Sequence, residues 1–252
     1  MKKIYQIIGL VFISAFYLQC SSLESDLAGS SGTGVGGSLA AMTVVGDFLY
    51  TLDNQSIKVF NLANPVEPVQ VGNTIELDFG VETMFPYDNL LFIGSQTGMY
   101  IFDISTASNP QLLAEHEHFF GCDPVVANDS IAFVTVRTIE GCRGFVDFNR
   151  LEIVDVSDPT QPSTIADYDL NSPAGLGLDG NHLFVTDGDA GIRVFDVSDP
   201  YNATIIGNIP VNAFDVIPLD GLLIAVGAEN LYQFDYTDIH QITQLSSLQL
   251  RP

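Results

Sequence analysis

Three carboxylates, Glu82, Asp123 and Asp215, stand ahead of apolar runs at what reads as one register of an internal repeat, whose other members there are Ala40 and Ala174. Brought together, they would offer oxygen ligands to Ca2+, a hard cation. Kept apart, they are solvated residues that start strands, which is the plainer reading of the pattern. His116-Glu117-His118 sets two imidazoles on one side of an extended segment, as a transition-metal site needs, but two ligands do not complete one. A solvated outer strand or loop accounts for the same residues. Asp187-Gly188-Asp189-Ala190-Gly191 opens like a calcium loop and lacks the distal bidentate Glu, so it reads as a hairpin turn. Gly32-Thr33-Gly34-Val35-Gly36-Gly37 has dinucleotide-loop spacing, yet no helix follows to face a pyrophosphate. No nucleophile elbow, zincin motif or phosphate-cradling loop with Lys is present.

The elements that must carry these residues repeat about every 41 positions. The clearest block is Ile192-Arg193-Val194-Phe195-Asp196-Val197-Ser198-Asp199-Pro200, with counterparts beginning at Ile57, Met99, Leu151 and Leu231. Measured at Phe60, Phe102, Val154, Phe195 and Phe234, the steps are 42, 52, 41 and 39. Around each block lie further apolar runs rich in Val, Ile, Phe and Tyr and bounded by Gly, Asn, Asp or Pro, which makes four short strands per repeat. Asp and Ser side chains that bond nearby amides, with a Pro that fixes φ, end the third strand in a turn. Gly98 and Gly191 are expected to supply positive φ ahead of it. The predicted fold is all-β: a five-bladed β-propeller over residues 38–252, with four antiparallel strands per blade.

The block Leu151-Glu152-Ile153-Val154-Asp155 and its relatives resemble the LVIVD repeat family of exported bacterial proteins. The resemblance runs from Ser38 to Leu250 and is weakest in the fifth repeat, where Ile239 replaces the turn proline. It implies a propeller at the cell surface and no particular activity. All repeats run in the same phase, so no strand is exchanged between the ends, and ring closure is expected to rest on packing between the first and last blades.

The 52-residue step reflects an insertion, Thr138 to Asn149, that holds Cys142. Cys122 at the start of a first strand and Cys142 after a second strand fall on the same face of a propeller. A disulfide between them is expected in an exported protein. Export itself is read from the amino end, where Lys2 and Lys3 precede a 15-residue apolar run, Ile4 to Leu18, too short to span a bilayer. The run ends in Leu18-Gln19-Cys20-Ser21, which resembles a lipoprotein box with Gln19 as a departure. Residues 1–19 are then a signal peptide, Cys20 the lipidated terminus and residues 20–37 a Ser/Gly-rich tether at the outer membrane or cell surface.

Thirty-one acidic residues against eight basic ones give a net charge of −23. Such a field repels phosphate backbones, so nucleic acid is excluded as a partner. With 46% hydrophobic residues, the chain can still bury a sizeable core. The function expected is that of a monomeric binding module for a protein or glycan. The alternatives are a metal-assisted hydrolase or lyase at the tunnel mouth, or a structural component of the envelope.

Overall fold

Alternating apolar residues and short turns build twenty strands in the computed structural model, which describes residues 37–78, 80–117, 124–137 and 148–250. Blade 1 holds β1 (Met42–Val45), β2 (Phe48–Asp53), β3 (Ser56–Asn61) and β4 (Val69–Glu76). Blade 2 holds β5 (Val81–Tyr87), β6 (Leu90–Ser95), β7 (Gly98–Asp103) and β8 (Gln111–Glu117). Blade 3 holds β9 (Val125–Ala127), β10 (Ile131–Val136), β11 (Arg150–Asp155) and β12 (Ser163–Asp169). Blade 4 holds β13 (Leu176–Asp179), β14 (His182–Thr186), β15 (Ile192–Asp196) and β16 (Thr204–Ile209). Blade 5 holds β17 (Asp215–Leu219), β18 (Leu222–Val226), β19 (Asn230–Asp235) and β20 (Thr243–Gln249). Each blade is a separate sheet of four consecutive strands, so none is exchanged between blades.

The predicted turn chemistry is present in every blade. At the end of each third strand, Asn61, Asp103, Asp155, Asp196 or Asp235 accepts a hydrogen bond from the amide two residues on. Every third strand also bulges against the fourth, for example between Ile153 and Val154. Gly191 has φ +90°, as expected. Gly98 does not adopt positive φ; it is a glycine because a Cβ would run into the carbonyl oxygen of His116 on the adjacent strand.

Side chains on the two sides of each sheet face the two neighbouring blades. Four apolar clusters result. One joins blades 1 and 2 around Tyr50, Ile57 and Leu91, and another joins blades 2 and 3 around Phe92, Ile101 and Val134. Blades 3 and 4 meet around Phe133, Ile153 and Phe195, and blades 4 and 5 around Phe184, Val194 and Phe234.

The seam between blades 5 and 1 is built differently. Leu49 and Phe60 occupy the places that the fully buried Leu91 and Phe102 hold in blade 2, yet both are half-buried. On the blade 5 side, Ile224 and Gln233 replace the pair that is Phe92 and Ile101 in blade 2. Gln233 accepts a hydrogen bond from Ser246 instead of packing on a neighbour. No apolar cluster spans this seam among the described residues. Closure by packing between the first and last blades is therefore not what is found, because one of the four seam positions is polar and the other three remain partly open to water.

Candidate functional site

The first strands of the blades surround the axis, and the face on which they begin is the upper face here. The connections from second to third strands also lie on it. Ahead of β1, residues Gly37 to Ala40 cross this end of the axis and bond to three blades. The Oγ of Ser38 accepts from the amide of Leu176 in blade 4 at 2.8 Å and donates to Oδ1 of Asp215 in blade 5 at 3.2 Å. The carbonyl of Ala40 accepts from the amide of Met84 in blade 2 at 2.8 Å. Ser38 is buried. It does at the fifth seam what Tyr50, Tyr87, Thr135 and Tyr236 do at the other four, where their hydroxyls donate to Ala107, Asp129, Ala174 and Asp179 in adjacent blades.

Asp215 is thus a latch residue. Burial pushes its carboxyl up to about 6, against donors from the Val216, Ser38 and Leu39 amides and the Ser38 hydroxyl that favour the ionised form. Two glycines make room for it: a Cβ on Gly37 or Gly175 would overlap the Asp215 carboxylate. At Gly175 the Asp215 Cα and the Phe214 carbonyl crowd the same spot, both at 2.7 Å. Gly175→Ala is expected to lower stability by about 1–3 kcal/mol, read by urea unfolding, because backbone as well as side chain must move. An unchanged midpoint would show that the latch is loose.

Beneath the latch, the axial cavity holds about 210 Å3. Met84, Pro86, Val126, Leu176, Val216 and Pro218 give it a largely apolar wall. It is smaller than ordinary small-molecule sites, which run to roughly 300–1,000 Å3.

Glu82 and Asp215, two of the carboxylates expected to meet at the tunnel mouth, do not share a register. Asp215 pairs with Val226, the fifth residue of β18, and the residues level with it are Ala41, Thr83, Pro124 and Gly175. Glu82 lies in a bulge between Val81 and Thr83, and its Oε1 accepts from Gln96 of the same blade at 2.9 Å. The apparent alignment of Asp215 with Glu82 and Ala174 was one residue out, and a one-residue slip turns a side chain to the other side of its sheet. Asp123 lies outside the described residues, as do Cys20, Cys122, Cys142, His118 and the glycine run from Gly32 to Gly36. Among the described residues, no group of three or more His, Cys, Asp and Glu side chains is arranged to hold a metal ion. His116 sits on the outer strand β8, with its Nε2 3.1 Å from the Thr164 hydroxyl of blade 3.

Two shallow depressions of about 300 Å3 each do open near the third-blade insertion. Phe148, Asn149, Arg150, Asp169 and Asn171 line one, and Arg137, Ser172, Asp189, Asn212 and Phe214 line the other. Arg137 follows β10 and Arg150 begins β11, so the two arginines flank the insertion.

The wall between the depressions hangs on Asp187, which is wholly buried. Its carboxylate accepts from the amides of Asn171 at 2.7 Å and Ser172 at 2.8 Å, from the Asn171 side chain at 3.2 Å, and from Arg193 Nε at 3.3 Å. The segment after it is the expected hairpin connection, drawn into a short 3-10 turn at Gly188–Ala190. Asp189 on that turn accepts from the Asn212 amide of the following blade connection at 2.8 Å. The reading of this loop as a turn fits; the buried anchor inside it has no motif by which to find it.

Five four-stranded antiparallel sheets around a small axial cavity define a β-propeller. Residues 87–116, 145–170 and 174–210, in blades 2, 3 and 4, match the LVIVD repeat. No curated protein matches it in sequence. Among solved structures it is similar to a putative 6-phosphogluconolactonase from Bacteroides fragilis, with a TM-score of 0.63 and 14% identity over 82% of this chain and 69% of that one. A periplasmic gluconolactonase from Pseudomonas aeruginosa gives a TM-score of 0.61 and 13% identity over 81% and 68% of the two chains. AztD from Citrobacter koseri gives 0.57 and 9% over 82% and 63%. At these identities the likeness is one of fold alone. Among the described residues, no helix is long and apolar enough to cross a membrane.

Proposed function

We propose that this propeller is an exported protein, anchored by lipid at Cys20, that binds a protein or glycan partner of the cell envelope through its upper face. The observation that supports this reading most is the gathering of polar depressions on that face, next to the one long insertion in the repeat. Loops held by a rigid scaffold are where binding residues concentrate. The described cations add to it: Lys58, Arg137, Arg150 and Arg193 all lie toward the upper ends of their strands. Connections on the opposite face are tight acidic turns whose carboxylates, such as Asp158 and Asp199, are taken up by local amides. A catalytic role at the tunnel mouth has less support, because the shifted carboxylate there, Asp215, serves ring closure.

Capture of envelope proteins and glycans should separate the faces. Wild type and Asp238→Arg, on the lower face, are expected to retain the same partner, and Asp189→Arg, on the upper face, to lose at least tenfold of it. Equal retention by both variants, or no partner above a carrier-protein control, would count against the reading.

A further inference from the structure

We infer that the depression lined by Arg137, Ser172, Asp189, Asn212 and Phe214 is a site for a carboxylate-bearing saccharide, a hexuronate unit, with Arg137 as the group that binds the carboxylate. This rests on the upper face being the binding face and names the chemistry that it would take.

The charge balance of the described residues points to it. Lys58 pairs with Asp53 at 2.8 Å, Arg150 with Asp167 at 3.6 Å and Arg193 with Asp187 at 3.3 Å. Arg137 makes no ion pair among the described residues, although carboxylates far outnumber cations in this chain. Its Nε is out of contact with water and has no hydrogen-bond partner. A buried donor left unmatched costs about 1–3 kcal/mol, and a guanidinium does not shed its proton to escape that cost. An anion supplied from outside would give this guanidinium, which lines the depression, the counter-charge that it lacks among the described residues, and the planar fork suits a carboxylate held by two parallel bonds.

The remaining groups say what carries the carboxylate. Asp189 and Asn212, already bonded to each other, present an acceptor and an amide of the kind that vicinal hydroxyls use, and Ser172 adds a hydroxyl. Phe214 is 46% exposed at the same depression, a flat apolar surface for the C–H face of a pyranose ring. A bare ion would have no use for the ring or the hydroxyl partners, and a phosphate dianion would meet the Asp189 charge. The volume, about 300 Å3, sits at the small end of ligand sites. The groups are held in place beforehand: Asp187 fixes the amide of Ser172, and Thr135 donates to the Ala174 carbonyl at 2.6 Å. Such preorganisation removes part of the entropic cost of binding. The overall negative field opposes any anion, but at physiological salt it is screened within about 8 Å, so the local cation governs a bound group.

The test is calorimetric titration of the full chain in detergent with trigalacturonate and with its trimethyl ester, which differ only in three charges and three methyl groups. Trigalacturonate is expected to bind at least tenfold more tightly than the ester. Arg137→Gln should weaken the acid at least tenfold and leave the ester within about twofold, Arg137→Lys should fall between, and Phe214→Ala should weaken both. Asp238→Arg, on the lower face, should change neither. Acid and ester bound equally, acid bound equally by Arg137→Gln, or no binding of the acid to wild type would each overturn the inference. A partner still lost on Asp189→Arg while trigalacturonate fails to bind refutes this ligand and leaves the upper face as the binding face; failure of both refutes both.

Discussion

Asp215→Asn is expected to flatten the loss of stability that wild type suffers as pH rises from about 4 to 7. The carboxyl is raised by burial to about 6 in the folded ring, above the ordinary value of 3.8. A raised acid holds its proton more tightly when folded, so its contribution is full below pH 3.8 and is lost as pH rises through 6. The difference corresponds to about 3 kcal/mol at neutral pH. Asn keeps an acceptor for Ser38 and has no charge to bury. Urea unfolding of wild type and Asp215→Asn across pH 4 to 8 should show the variant gaining on wild type over this window. Other acidic residues titrate in both proteins, so the difference between the two curves is the measurement. Parallel curves would mean that the carboxylate is solvated and the latch does not exist as described.

The second large effect belongs to Asp187. Asp187→Ala would leave the amides of Asn171 and Ser172 without their acceptor and Arg193 without its partner, all around a wholly buried position. Removing one partner of a buried charged pair costs about 3–5 kcal/mol, more than removing a surface pair. In a domain of this size that corresponds to a melting temperature lower by about 10 °C. Asp187→Asn, which retains one acceptor oxygen, should recover a good part of the loss. A shift of less than about 2 °C on Asp187→Ala would show that water replaces the carboxylate at no cost.

What could be read from the chain beforehand follows the range of the interactions. Blade phase and the turns after Asp155 and Asp196 depend on residues within a few positions of one another, and they were legible from alternation and from Asp, Ser and Pro. The register of Asp215 was not, since the strand-starting residues differ from blade to blade and only the pairing with the second strand shows that Asp215 is level with Thr83 and not with Glu82. The latch joins Ser38 to a carboxylate 177 positions away, and its two glycines gain meaning only once that carboxylate is placed between them. Arg137 carries no motif; its significance is that it makes no ion pair among the described residues, which only the folded structure reveals. The same holds for the seam, where Gln233 breaks the apolar pattern by a single residue.

Because each sheet is made of four consecutive strands, a whole blade is also the natural unit of change for this architecture. Duplication or deletion of about 41 residues at a blade boundary would leave every remaining sheet complete, with no strand to rethread into a distant partner. A propeller fastened by strand exchange cannot lose an end repeat without leaving a sheet one strand short. Among the described residues, the element that must re-find its place is the short segment around Ser38, and the two groups bonded to the Ser38 hydroxyl sit on the last two blades. Variation in blade number is thereby reduced to a question of whether the final blade still offers a carboxylate to that serine.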